Sequence, residues 1–465
     1  MTHKWQAVLA AAILAVVGTW NPVGSAPHAW GGDFRVSTFR ADVTIPLGHR
    51  CMGVLPTKSS RIVDPLEARG IVLLGGESPV VIVVFDWCEI RNDSYDQWRQ
   101  AIADAAGTSR ERVLLSCNHQ HDAPVIDAGA ARLLREVGLP NELFDEAFQQ
   151  RVVERVTRAV RESLQRSVPV THLGLGTARV ERIASSRRVV DEQGRVSFGR
   201  GSRSGGNAWM REAPEGKIDP VLKMISFWNG KQPVVAISCY ATHPMSYYGR
   251  GEVSWDFVGI ARDRMQRLFP GTFQIYATGC SGDVTAGKYN RGTAEDREAL
   301  AARLQAGMIA ARKNTRRVPL SQVAFRNAQV ALEFHPSPAL TVASLRSRLQ
   351  DPSASTESRI WAAMGLASRQ RVAAGRNIDV PCVDLGAAQL VLLPGEAFVA
   401  YQWMAQRMRP DSLVMAIGYG ECWPGYIPTD ADFQDGFADK WLWVAPGSEA
   451  RLKTALKKVL RDHHP

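Results

Sequence analysis

Short apolar runs, each closed by a polar or Gly/Pro-rich segment, recur along the whole chain. Residues 34–44 alternate apolar and polar and stop at Pro46 and Gly48, which predicts a first strand. Residues 71–74 and 80–85 are β-branched runs flanking Gly75-Gly76-Glu77-Ser78-Pro79, a hairpin pattern ending at Asp86. Ser94 is placed to cap a helix that carries Trp98, Ile102 and Ala105 on one face and stops at Gly107. A strand over 113–115 follows, and the order strand, helix, strand predicts a βαβ-type layer with its chemistry at the strand's carboxyl end. Phe148, Val152, Val156, Val160 and Leu164 recur every fourth position and predict an amphipathic helix within 141–165. Residues 224–228 and 234–239 flank Asn229-Gly230-Lys231, the mark of a hairpin with a type I′ turn. Further strands are predicted over 273–277, 388–393 and 414–417, a long helix over 293–312, and a closing helix lined by Leu452, Leu456, Val459 and Leu460. Residues 336–376 read as polar helix without a functional signal, and the basic, Gly/Ser-rich stretch 182–206 as a mobile surface loop or a substrate-facing lid. With no internal repeat and no linker evident, the pattern predicts the α/β class. It implies a mixed β-sheet core with helices on its faces, in one large domain over residues 30–465.

The first residues depart from this pattern. His3 and Lys4 precede an apolar run from Trp5 to Trp20, followed by Asn21-Pro22-Val23-Gly24-Ser25-Ala26, which predicts a cleaved signal peptide over residues 1–25 and a secreted or periplasmic protein. No later run reaches the roughly 18 apolar residues that a membrane span requires. The formal charge of +10 is spread along the chain without an aromatic-interleaved basic stripe. That argues against nucleic acid and for weak peripheral attraction to anionic surfaces such as a membrane. The seven cysteines are odd in number and include no CxxC pair, so neither a disulfide framework nor a thiolate zinc site is expected.

The chemistry gathers where apolar runs end. Asn118-His119-Gln120-His121-Asp122-Ala123-Pro124 follows the strand at 113–115, and imidazoles at i and i+2 of a strand share a face. His243, Asp283, Glu396 and Tyr426 likewise follow apolar runs. Each has an ordinary structural explanation by itself; together they match a zinc site with nitrogen and oxygen ligands and one open position. The chain has no HExxH helix, which excludes the familiar metalloprotease arrangement.

At these residues the chain resembles the catalytic domain of the neutral, non-lysosomal ceramidases. The resemblance rests on His119-Gln120-His121-Asp122-Ala123-Pro124, Thr242-His243-Pro244, Pro394-Gly395-Glu396 and Gly425-Tyr426-Ile427-Pro428-Thr429, in matching order. It implies Zn²⁺ held by His119, His243, Glu396 and Tyr426. It also implies His121 as acid/base or oxyanion donor, Thr285 and Asp283 in the loop that positions the reacting water, and Arg187 or Arg188 at the substrate. The activity implied is hydrolysis of a small-molecule or lipid N-acyl amide, without an obligate protein partner. Two departures qualify the substrate. Thr285 stands where the family has serine, adding a methyl and a stiffer rotamer. The β-sandwich that follows the family's catalytic domain also has no counterpart in the sequence. The alternatives are a catalytically weak zinc-containing binding protein, or a zinc hydrolase of another amide or ester.

Overall fold

The computed structural model describes residues 34–52 and 55–461, so the expected signal peptide lies outside the described residues. Three sheets carry the architecture, and each has the same plan. In the first, strand Arg35–Asp42 pairs antiparallel with Glu67–Leu74, which makes a hairpin with Val80–Phe85; helix Asn92–Ala106 then returns the chain to Val113–Cys117, parallel to Val80–Phe85. The second runs His172–Arg179, Val221–Asn229, Gln232–Tyr240, helix Asp256–Leu268, then parallel strand Phe273–Thr278. The third runs Ala324–Val330, Ile378–Asp384, Ala388–Leu392, helix Val399–Met408, then parallel strand Leu413–Ile417. The mixed α/β fold expected from the sequence is present. The repetition is not legible there, because a strand–hairpin–helix–strand unit requires only apolar runs of suitable length, not a repeated sequence.

The three sheets bury both faces. Val80, Ile82 and Val84 point into a central apolar cluster together with Ile225, Ile237, Ile275, Leu390 and Met415 from the other two sheets. Val81, Val83 and Phe85 point outward, against Trp98, Ile102, Val152 and Val156 of the covering helices. Period-two alternation with both sides apolar gives the continuous Val80–Phe85 run its character. The parallel strands of the three sheets meet at their carboxyl ends. Cys117 N–H donates to Tyr419 O (3.1 Å), Gly418 N–H to Thr278 O (3.0 Å) and Thr278 Oγ1 to Asn118 O (2.9 Å). Beside this junction the Arg262 guanidinium grips the Asp86 carboxylate through both oxygens (2.7 and 2.8 Å), tying the helix of the second sheet to a strand end of the first.

Several local expectations are corrected. Ser94 does not cap its helix, which begins at Asn92; its Oγ accepts from Ala128 N–H instead, while Gly107 ends the helix at φ +68° as expected. Asn229 pairs with Gln232 and leaves Gly230-Lys231 as the loop, in which Gly230 alone has positive φ (+56°). That is the signature of a type II′ turn rather than I′. The 182–206 stretch is built around Arg200, a fully buried guanidinium donating to Ser186, Met210, Ala213 and Pro214 carbonyls. The polar 336–376 segment contains helix Thr356–Ala373, whose Ile360–Ser368 stretch is buried throughout. All seven cysteines are buried and unpaired, as the absence of a disulfide framework predicts. No helix among the described residues is long and apolar enough to cross a membrane.

Candidate metal centre

His119 lies just past the end of strand Val113–Cys117, in the left-handed region at φ +65°. The i, i+2 strand geometry therefore does not apply. His119 and His121 are brought together by the turn instead, with ring centroids 4.9 Å apart and planes at 83°. Two contacts fix this uncommon backbone: His119 N–H donates to Trp87 O (2.9 Å), and the ring stacks on Tyr419, 4.4 Å between centroids.

The three residues that converge most closely come from all three sheets. His243 Nε2 lies 2.9 Å and His119 Nε2 3.5 Å from the same oxygen, Glu396 Oε2. The opposite ring nitrogens are occupied by backbone: His119 Nδ1 faces Cys88 O (3.1 Å), and His243 Nδ1 faces Ser281 O (2.6 Å). Nδ1–H bound to a carbonyl sets the tautomer that leaves Nε2 as a lone-pair donor, the arrangement in which histidines hold a metal. His119, His243 and Glu396 thus form a buried group able to hold a metal ion, and Cys88, His119 and His121 form a second that shares His119. Tyr426 enters beside Glu396 through the parallel pairing Glu396↔Tyr426.

Electrostatics follow from burial and from these contacts. Burial opposes charge on Glu396, but His119 and His243 outweigh it and hold the carboxyl far below the usual range. Burial also opposes charge on His119, yet Glu396 and then Glu89 raise its pKa above the ordinary imidazole value. His243, buried and facing the Arg187 charge, drops to about 4. Burial and the two neighbouring imidazoles push His121 well below its usual value, so its ring is neutral. Burial raises the Tyr426 phenol well above 10.

A cavity of about 120 Å³ opens beside this group, lined by His119, His121, Glu396, Tyr426, Arg187, Cys88, Glu89 and the apolar Met52, Val125, Met245, Met364 and Trp441. Arg187 has no acidic partner there: its Nε is buried without a hydrogen bond, and its Cζ lies 5.9 Å from the Tyr426 ring centroid. The neighbouring Arg188 turns away and pairs with Asp435 (2.6 Å). Asp283 does not line the cavity. Its Oδ1 accepts from Val399 N–H at the start of helix Val399–Met408, its carbonyl accepts from Arg187 N–H (2.7 Å), and burial lifts its pKa to about 7. Thr285 bridges His243 in parallel, and its hydroxyl accepts from Gly287 N–H (3.3 Å). Cys88, Glu89, Met364, Tyr419 and Trp441 had not been singled out. For Glu89 and Tyr419 the signal existed, since both follow apolar strands as the chosen residues do; for Met364 and Trp441 the sequence carries none.

Fold and site together define a class: a mixed α/β protein whose three sheets deliver histidine and carboxylate to one buried, metal-capable junction. Two solved structures share that fold. One is a neutral ceramidase from Pseudomonas aeruginosa (TM-score 0.66, 15% identity, 92% of this chain and 74% of that one). The other is described as a ceramidase complexed with C2 (TM-score 0.67, 15% identity, 92% of this chain and 75% of that one). The likeness at this identity is one of fold, and the neutral-ceramidase-like architecture expected from the sequence is present. No family model and no curated protein matches the chain.

Proposed function

We propose that the protein is an exported zinc-dependent amidohydrolase acting on an N-acylated compound. The observation that carries this reading is the convergence of His119 Nε2 and His243 Nε2 on Glu396 Oε2, with both Nδ1 atoms committed to backbone carbonyls. His119, His243, Glu396 and Tyr426 would hold Zn²⁺, a nitrogen and oxygen donor set suited to that ion. When bound, the ion supplies a Lewis acid that acidifies water and polarises a carbonyl oxygen. His121, neutral and with Nδ1 unpartnered, accepts the proton of the attacking water and returns it to the leaving nitrogen. Arg187 directs its guanidinium at a polar group of the substrate. Asp283 positions Arg187 by accepting from its backbone N–H while holding the start of helix Val399–Met408, and Thr285 braces His243 through their bridge. The likeness in fold to structures named as ceramidases supports an amide as the bond cleaved.

The cavity of about 120 Å³ limits what enters. An engineered cavity of about 150 Å³ accepts benzene, so the amide and its nearest atoms fit here and a long acyl chain must lie outside. Metal analysis of the purified protein, followed by hydrolysis of short- and long-chain N-acyl substrates by the native protein and His119→Ala, tests the proposal. Near-stoichiometric zinc and turnover abolished by the substitution are expected; turnover indifferent to it would remove the assignment. The occupied hydroxyl of Thr285 favours one second reading, a zinc-containing binding protein of weak activity, which retained zinc without hydrolysis of the panel would support. Export rests on residues 1–25 and is tested by the N-terminal sequence of the mature protein. Loose attraction to anionic membranes rests on the +10 charge and is tested by salt-sensitive vesicle binding.

A further inference from the structure

His121 differs from its two neighbouring histidines in how its ring is held. His119 and His243 each commit Nδ1 to a backbone carbonyl. The His121 ring makes no hydrogen bond among the described residues, and its Nδ1 is buried without a partner. A base that moves a proton is ordinarily oriented through its second nitrogen by a third group. Here no group does so, and packing sets the plane of the imidazole. The two nearest rings are His119, 4.9 Å away at 83°, and Tyr248, 5.3 Å away at 56°. Both separations lie where aromatic rings attract. His119 belongs to the candidate metal centre, whereas nothing in the proposed reaction uses Tyr248.

Tyr248 is itself firmly placed. Asp122 directly follows His121, Gly249 directly follows Tyr248, and Gly249 N–H donates to Asp122 Oδ1 (2.9 Å). That bond ties the two segments together one residue beyond each ring. Two residues before Tyr248, buried Asp256 accepts from Ser246 N–H (2.9 Å) and from its hydroxyl, and Asn290 Nδ2 donates to Ser246 O (2.8 Å). The Asn290 amide also donates to Ser202 O (2.7 Å), which brings the 182–206 stretch against this segment. There the Arg203 Cζ stands 4.6 Å from the Tyr248 ring centroid, and its guanidinium donates to Tyr248 O. Ser202 Oγ donates to the phenol oxygen at 3.4 Å. We propose that Tyr248 is a positioning residue whose ring, backed by Arg203, holds the His121 imidazole in the plane from which it exchanges a proton with water and the leaving nitrogen. This rests on the amidohydrolase reading and adds to it the group that orients the base.

The test is a double-mutant cycle on the zinc-loaded protein, read in single turnovers of the short-chain N-acyl substrate it hydrolyses fastest. Tyr248→Ala is expected to lower the rate of the chemical step by about 10- to 100-fold, the scale of a misplaced proton-transfer group, with KM and zinc affinity unchanged. In a His121→Ala background the same substitution costs nothing further. Tyr248→Phe keeps the ring and surrenders only the Ser202 contact, so its rate stays within about twofold of native. Equal losses in both backgrounds, a loss carried by KM, or a Phe variant as slow as the Ala variant would overturn the assignment. Arg203→Ala, at an exposed position, is the second variant should Tyr248→Ala not fold; its smaller loss must likewise vanish in the His121→Ala background. The rate at which diethyl pyrocarbonate modifies His121, followed by mass spectrometry, repeats the comparison without turnover. A freed ring reacts faster, so Tyr248→Ala should raise that rate several-fold and Tyr248→Phe should leave it unchanged. A protein that hydrolyses no N-acyl substrate yet shows this acceleration refutes the amidase reading and retains the hold of Tyr248 on His121; no acceleration refutes that hold.

Discussion

Gly282 offers the sharpest check on the idea that backbone packing sets the metal centre. Its N–H donates to Ala397 O (3.1 Å), so it lies flat against the segment that carries Glu396. A Cβ there collides with Glu396 O and stands 2.9 Å from the Glu396 carbonyl carbon and 2.8 Å from Phe398 Cδ1. Carbon atoms pack comfortably at roughly 3.5–4.0 Å, so Gly282→Ala must drive the two segments apart by roughly 0.6 Å or more. Site geometry tolerates about 0.5 Å. Glu396 Oε2 would then leave the position from which it meets His243 Nε2 at 2.9 Å. The expected result is a loss of about 10- to 100-fold in zinc affinity, the range seen when the supports of ligands are disturbed. A stability loss of about 1–3 kcal/mol from overpacking accompanies it. Competition against a chromophoric chelator measures the first and denaturant unfolding the second. Gly271→Ala, where nothing lies within 4 Å of the added Cβ, is the control and should change neither. Native zinc affinity in a folded Gly282→Ala protein would refute the reasoning, because Glu396 would then not depend on this contact.

Other consequences follow from single contacts. Arg187→Met should lower kcat/KM by about tenfold or more with zinc retained. In the metal-free protein it should also raise the His243 pKa from about 4, read by NMR, because the Arg187 charge helps to depress it. Arg188→Met, which breaks only the partly exposed pair with Asp435, should cost no more than about 1 kcal/mol and leave turnover unchanged. Arg200→Met strips four carbonyls of their buried donor and should open residues 182–214 locally, producing new sites of limited proteolysis in a protein that stays folded elsewhere. Burial raises the Glu421 pKa to about 7 against the opposing Arg371 charge, whose Nη1 lies 3.6 Å from an Oε2 that makes no hydrogen bond. Its folded form therefore binds a proton more tightly than the unfolded chain. Stability from this group is present at low pH and is lost as pH rises from the ordinary glutamate value through about 7. Glu421→Gln should flatten that decline in thermal melts between pH 5 and 8; an unchanged pH profile would remove Glu421 as its source.

Legibility in the sequence divides along physical lines. Helix Ala294–Lys313, capped by Thr293, and the amphipathic Glu146–Leu164 were visible because caps and periodicity act within a few residues. The strands bearing the site were visible because burial on both faces leaves continuous β-branched runs. Residues past those strands could be nominated by type, as His119, His121, His243, Glu396 and Tyr426 were, since open polar groups gather where parallel strands end. How His119 and His121 meet was misjudged, because a left-handed turn at His119, not strand alternation, sets their angle.

Local chemistry by itself therefore determined the elements, the α/β class and the residues able to bind a metal. Tertiary structure decided which of them converge. His119, His243 and Glu396 lie far apart in the chain and meet only because three sheets of the same plan close their strand ends on one junction. It also separated Arg187, facing the cavity, from Arg188, facing Asp435, and turned the Thr285 hydroxyl to backbone. It admitted Glu89 and Cys88 as well, whose place in the sequence marks them only as the end of one buried strand among several. Side-chain direction past a strand end depends on what the neighbouring sheet leaves open, and that information is not carried by any stretch of sequence short enough to read locally.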